Sequence, residues 1–94
     1  MPQTLNLDVA ETVGEPYYIS TAGTYVIKQS ACTVLRLLLG CSAACVITVY
    51  DGDDIKARFS MQKETNASYT IGMRCYTNLR IVTSADADVT AVYT

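Results

Sequence analysis

Four cysteines are the residues of this chain best suited to metal or redox chemistry: Cys32, Cys41, Cys45 and Cys75. Structural zinc needs four ligands, commonly supplied as two short clips of cysteine or histidine. Cys41 and Cys45 form one clip, but the chain has no histidine and no second clip. We therefore expect no metal site. Two alternatives stay open for the thiols: disulfide pairing, or burial as small hydrophobic side chains, which the shared strand phase of Cys45 and Ile47 favours.

The carboxylates are distributed in a way that favours turns over catalysis. Three aspartates and a glycine make up Asp51–Asp54, which is typical of a hairpin turn and fails the EF-hand pattern for calcium. Glu11, Glu15 and Glu64 lie in separate polar segments, so nothing pairs them across a cleft. Without histidine, the common serine and cysteine triads lack their base. We predict no catalytic residue, no cofactor and no enzymatic activity.

The chain has seven tyrosines, and two of them are adjacent. Tyrosine is an amphipathic contact residue that is enriched at interfaces. Tyr17 and Tyr18, beside a predicted strand, form a candidate patch for binding a sugar or a protein. The alternative is that both rings pack over the edge of a sheet.

Strands must position all of these residues, because the dominant pattern has a period of two. Ile55–Met61 alternates apolar and polar residues at every step, as a half-buried strand does. Alternation and β-branched composition predict the strands Thr4–Val9, Thr24–Lys28, Cys32–Leu39, Cys45–Tyr50, Ile55–Gln62, Ala67–Ile71, Asn78–Thr83 and Val89–Tyr93, with a short extended piece at Tyr17–Ser20. This spacing predicts an all-β fold, a single small β-sandwich or jelly roll of seven to eight mostly antiparallel strands over residues 1–94. Residues 1–14 are a candidate extended N-terminal arm.

The composition restricts the classes of partner that we expect for this chain. The formal net charge is −2, so a basic footprint for nucleic acid is missing. No apolar run reaches the roughly 18 residues of a membrane span, and Met1–Thr4 does not resemble a signal peptide. We therefore expect no nucleic acid, no membrane and synthesis in a reducing cytosol. Half of the 94 residues are hydrophobic, more than so small a domain readily buries, which points to self-association.

Two strands carry apolar residues on both faces. In Cys32–Leu39, the phase with Leu35, Leu37 and Leu39 is predicted to face inward and the phase with Arg36 outward, since an unpaired buried charge is costly. In Cys45–Tyr50, Ile47 and Val49 are predicted to face inward. Either both faces are covered within one molecule, or the outward face is a subunit interface. The sequence favours the interface, because no further layer is predicted; its expected members are Val34, Arg36, Leu38, Val46, Thr48 and Tyr50.

Three segments resemble a group of small virion proteins of tailed bacteriophages. They are Tyr18–Lys28, Val46–Asp51 and Asn78–Tyr93, in the same order, whereas Cys32–Cys45 departs from the group. Members include capsid decoration (cement) proteins. The resemblance implies a homotrimer on the capsid surface that is made in the bacterial host cytoplasm and binds the major capsid protein. It would stabilise the assembled head by bridging capsid subunits. The alternative is a tail- or fibre-associated β-sandwich module that binds a host receptor or glycan.

Overall fold

The computed structural model describes residues 14–94, and eight strands account for most of them. In chain order they are β1 (Glu15–Ile19), β2 (Gly23–Lys28), β3 (Cys32–Cys41), β4 (Cys45–Asp51), β5 (Asp54–Met61), β6 (Thr65–Cys75), β7 (Leu79–Thr83) and β8 (Asp88–Tyr93). Over these residues the chain forms no helix that could cross a membrane. The predicted strand Thr4–Val9 and almost all of the predicted arm lie outside the described residues.

The strands form two sheets of four that pack face to face. Sheet A has the order β1-β8-β3-β6, and sheet B has the order β2-β7-β4-β5. Every neighbouring pair is antiparallel. Along the chain, β1 to β4 lie alternately in sheet A and sheet B, and β5 to β8 lie alternately in sheet B and sheet A. Early strands therefore pair with late ones. This is the arrangement of an eight-stranded jelly roll, so the predicted fold class is confirmed.

The core lies between the two sheets and consists of the side chains of alternate strand residues. In β4, Cys45, Ile47 and Val49 point inward, as their phase predicts. Burying the inward side chains of both sheets stabilises the fold by about 25 cal/mol for each Å² of apolar surface removed from water. The largest fully buried side chains, drawn from both sheets, are Ile19, Leu37, Ile47, Leu79, Ile81, Val34, Val49, Val89, Cys32 and Cys75.

A β-bulge interrupts the alternation of β3. Against β8, the register passes from Val34 opposite Tyr93 to Arg36 opposite Val92, so β3 has one extra residue, Leu35. An extra residue shifts every later side chain to the opposite face. In the β3–β6 pairing, this part of β3 lies opposite a part of β6 that is one residue longer, near Gly72. Gly72 has a φ of 58°, the left-handed conformation that glycine adopts without strain.

The bulge corrects two predictions for β3. Val34 was expected to face outward with Arg36, but it is 0% exposed, and Leu35, expected inward, is only half-buried. Strict alternation fails because the bulge places Cys32 and Val34 inward before it and Leu37 and Leu39 inward after it. Beyond the bulge, Arg36 and Leu38 are exposed as predicted.

The hairpin predicted at Asp51–Asp54 is confirmed. Asp51 lies opposite Asp54, so Gly52 and Asp53 form a two-residue loop between β4 and β5. Gly52 has a φ of 61°, which a tight hairpin turn requires.

Candidate functional site

The six residues predicted to form one interface lie in three different places. Because β3 belongs to sheet A and β4 to sheet B, their outward side chains lie on opposite sides of the sandwich. Arg36 and Leu38 lie on the outside of sheet A; Val46, Thr48 and Tyr50 point outward from sheet B. Val34 is in the core. These residues therefore do not form one continuous surface, because consecutive strands of a jelly roll switch sheets.

The outside of sheet B combines β-branched apolar side chains and a tyrosine with hydroxyl side chains and two arginines. We call it face B; its outward side chains are Thr24, Val26, Val46, Thr48, Tyr50, Ile55, Arg58, Ser60, Arg80 and Val82. Val26 is 46% exposed and Ile55 is 50% exposed, while Val82 is half-buried between its neighbours. None of the strand side chains on face B is acidic, so the face carries net positive charge.

Thr48 differs from the other predicted contact residues of β4. It is only 6% exposed, although its side chain points outward. It stands on the central strand, in a row between Val82 of β7 and Arg58 of β5. Thr48 is therefore corrected from a contact residue to a buried residue of face B, whereas Val46 and Tyr50 keep accessible surface.

Arg80 and Tyr50 form a stacked pair on face B that the sequence did not reveal. The guanidinium of Arg80 lies 4.4 Å from the centroid of the Tyr50 ring, and its Nη2 donates to the carbonyl of Gly52 at 3.1 Å. Its Nε is buried and has no hydrogen-bond partner within the described chain. The ring and the carbonyl that this cation contacts are both neutral. The pair depends on the β4–β7 register, which places Tyr50 opposite Arg80.

The outside of sheet A, which we call face A, is more polar and contains a notch. Gly40 lies in a row between Asp88 and Asn66; a Cβ on this glycine would come within 2.6 Å of the Asn66 Oδ1. Leu38 and Thr90 complete a shallow depression of about 300 Å³. The glycine therefore makes room for a cluster of carboxylate, amide and hydroxyl groups beside an exposed leucine.

Tyr17 and Tyr18 do not form the predicted patch. As neighbours in β1 they point to opposite sides of sheet A, so Tyr17 packs against the core while Tyr18 is 61% exposed on face A. The Tyr18 hydroxyl donates to the carboxylate of Asp88. This hydrogen bond, followed by partial desolvation and the charge of Asp88, raises the pKa of Tyr18.

Asp51 joins two loops at one end of the sandwich. Its carboxylate accepts hydrogen bonds from the backbone N–H groups of Tyr76 at 2.8 Å, Thr77 at 2.7 Å and Asn78 at 3.3 Å. In return, the Asn78 Oδ1 accepts from the backbone N–H of Gly52 at 2.8 Å. The N–H groups of Tyr76 and Thr77 are the main cause that lowers the pKa of Asp51. The residue has a structural role in addition to the turn predicted for it.

All four cysteines are buried, as the hydrophobic interpretation predicts. Cys32 and Cys75 are opposite one another in the β3–β6 pairing and face the core. The Cys41 Sγ donates to the carbonyl of Gln62 at 3.1 Å. Burial raises the pKa of Cys32 and of Cys45 and raises the pKa of Cys75 to about 11. Within residues 14–94, no three cysteine, aspartate or glutamate side chains are grouped so that they could hold a metal ion.

Comparison with known proteins gives a distant structural likeness. No family model and no curated protein matches the chain. A cryo-EM structure of a virus-like particle of the extra small virus of the giant freshwater prawn Macrobrachium rosenbergii is similar, at 10% identity and a TM-score of 0.44. The match covers 84% of this chain and 75% of that one. So distant a likeness carries no argument about function, and the resemblance to tailed-phage proteins stays a prediction.

Proposed function

We propose that this chain is a virion structural protein that binds an assembled bacteriophage head and stabilises it. The observation that carries this proposal is face B, where Val26 and Ile55 are exposed and no other element within residues 14–94 covers them. Exposed apolar surface that is bordered by polar residues is typical of a surface that binds another protein. The jelly roll is a fold used by viral capsid proteins, although lectins and cupins share it.

The arrangement of two contact faces suits a bridging role. Faces A and B lie on opposite sides of one thin sandwich, so a single copy can contact two neighbours at once. A ligand that binds only the assembled shell stabilises it by mass action, by about 2.7 kcal/mol per site at a free concentration of 100 times Kd. In this proposal the partners are the major capsid protein and further copies of this chain, which form a homotrimer at local three-fold axes of the capsid surface. The role requires no catalysis, and we propose none.

The test uses heads of the source phage that were prepared without this protein. Adding the purified chain should produce saturable binding and raise the temperature at which the heads open. Val26→Asp on face B should weaken this binding, whereas Gln62→Asp, on the exposed β5–β6 loop, should bind normally. Heads that neither bind the chain nor open at a higher temperature would contradict the proposal.

A second candidate function, a receptor- or glycan-binding module of a tail or fibre, is favoured by the notch on face A. Asp88, Asn66 and Thr90 supply acceptors and donors for sugar hydroxyls, and Leu38 supplies an apolar surface for a sugar ring. Saturation-transfer NMR with galactose, glucose and N-acetylglucosamine tests this function. Binding that Asn66→Ala abolishes would support it, and the absence of transfer from all three sugars would count against it.

A further inference from the structure

We propose that face B is a docking surface for a protein segment that presents a carboxylate together with β-branched apolar side chains, and that Arg80 receives this carboxylate. The proposal deepens the proposed function, on which it rests, by stating which face meets the partner and with what chemistry.

The guanidinium of Arg80 is already held in one orientation. Stacking on the Tyr50 ring at 4.4 Å and donation to the Gly52 carbonyl at 3.1 Å immobilise it from two sides. An arginine ordered in this way has paid much of its entropic cost before a ligand arrives. Its remaining donors form the planar fork that matches a carboxylate through two parallel hydrogen bonds.

The donors of Arg80 are incompletely satisfied within the described chain. Its Nε is buried without a hydrogen-bond partner, and such a group costs free energy until something accepts its hydrogen. Neither the Tyr50 ring nor the Gly52 carbonyl carries a negative charge. A carboxylate that approaches in the plane of the guanidinium would supply the missing charge and would accept hydrogen bonds from the Nη groups, which lie further from the core than the buried Nε.

The surroundings of Arg80 resemble the centre of a protein interface. Val26 lies directly opposite it on β2, and Val82 lies on the same face two residues further along β7. Tyrosine and arginine are the residue types that most often carry binding energy when apolar neighbours exclude water from them. The expected ligand segment therefore carries valine or isoleucine on the same face as its carboxylate.

The charge of face B decides between possible occupants. Stacking face B of one copy on face B of another would oppose Arg80 and Arg58 to arginines, without a carboxylate from either face. Two arginines on an apolar surface are also poorly suited to nucleic acid, whose binding scales with the number of phosphates neutralised. A foreign acidic segment satisfies both the charge and the apolar area.

The experiment uses the full chain labelled with ¹⁵N and a synthetic peptide, Ac-Thr-Glu-Thr-Val-Thr-Val-NH2, in which glutamate and the valines share one strand face. A matched peptide has glutamine for glutamate. We expect saturable shifts of the Arg80 Nε–H resonance and of backbone amides in β2, β4 and β7. Arg80→Lys should weaken binding by about tenfold, the effect of about 1.4 kcal/mol. The matched control Arg36→Lys, exposed on face A, should change it little.

Several outcomes would overturn the proposal. They are equal binding of the two peptides, shifts that map to face A, or no saturable shift up to about 10 mM peptide, well above the affinity range of useful recognition. Inorganic phosphate that shifts the Arg80 resonance at lower concentration than the peptide would instead indicate a phosphate site. Concentration-dependent broadening on face B without peptide, removed by Arg80→Lys, would identify a second copy as the occupant. Because the peptide replaces the capsid, heads that fail to bind would contradict the proposed function and leave this result intact.

Discussion

At the residue scale, Asp51 shows how one side chain holds the end of the sandwich together. Its carboxylate accepts from three successive backbone N–H groups of the β6–β7 loop, while Asn78 of that loop accepts from the β4–β5 turn. Loop N–H groups that would otherwise need water are thereby satisfied. Hydrogen bonds to the charged form lower the pKa of a carboxyl group, as observed for Asp51.

Asp51 should therefore make stability depend on pH in the acid range. A carboxyl group with a lowered pKa in the folded state stabilises the fold above its unfolded pKa of about 3.9 and loses that contribution as pH falls through the folded value. Asp51→Asn should lower the midpoint of urea unfolding at neutral pH and flatten its decline in acid. Asp53→Asn, at the exposed tip of the same turn, is the control. Parallel pH profiles for wild type and Asp51→Asn would contradict this role.

The buried thiols predict a second pH effect, on the alkaline side. Because burial raises the pKa of Cys75 to about 11, its stabilising contribution is complete below the unfolded thiol pKa of about 8.5. It is lost as pH rises toward the folded value, since only the unfolded chain ionises in that window. Native protein should also react with a thiol reagent only as fast as it unfolds. Rapid labelling of Cys75 at neutral pH under native conditions would show that the thiol is not enclosed.

At the scale of an element, β3 decides how the two sides of sheet A differ. Its bulge at Leu35 allows Cys32 and Val34 to enter the core with Leu37 and Leu39, while Arg36 and Leu38 face out. Without the extra residue, one of these two groups would have to leave the core, because a strand cannot otherwise change phase.

Neighbouring leucines of β3 should therefore respond differently to truncation. Leu37 is 0% exposed and Leu38 is 40% exposed. Leu37→Ala should lower the free energy of unfolding by about 2–5 kcal/mol through lost burial and a cavity, whereas Leu38→Ala should change it by less than about 0.5 kcal/mol. Chemical denaturation of dilute protein measures both. Equal losses would mean that the phase of β3 after the bulge is wrong.

At the scale of the whole molecule, the jelly roll presents two outer faces of different chemistry. Face B carries two arginines and no acidic strand side chain, whereas face A carries Asp88 and the notch around Gly40. With face B assigned to an acidic partner, face A becomes the surface proposed for contact between copies. A cyclic trimer uses heterologous contacts, so face A of one copy would meet a different surface of the next.

The trimer makes a simple prediction about mass. Light scattering should give about three times the 10.2 kDa of one chain. Leu38→Asp should reduce this to one chain while the β-type circular dichroism is retained, because the residue is exposed in a single copy. Gln62→Asp should remain trimeric. A wild-type chain that stays monomeric at high concentration would contradict the trimer, although binding of a monomer to heads would remain possible.

The sequence by itself determined the features that depend on local pattern. Alternation with a period of two identified the strands and the inward rows of β4, and the aspartates around Gly52 identified the hairpin. Burial of the cysteines followed from the apolar phase that Cys45 shares with Ile47. These features depend on residues within a few positions of one another, where side-chain direction and turn geometry act directly.

The tertiary structure decided everything that depends on which strands pair. It separated Arg36 and Leu38 from Val46 and Tyr50 by placing β3 and β4 in different sheets, and a bulge in the pairing moved Val34 into the core. It also placed Arg80 on Tyr50 and Asp51 beneath Asn78, contacts between residues about 30 positions apart in the chain. Such contacts are selected by the packing of the whole sandwich. No local pattern encodes them, which is why the predicted interface resolved into two faces only in three dimensions.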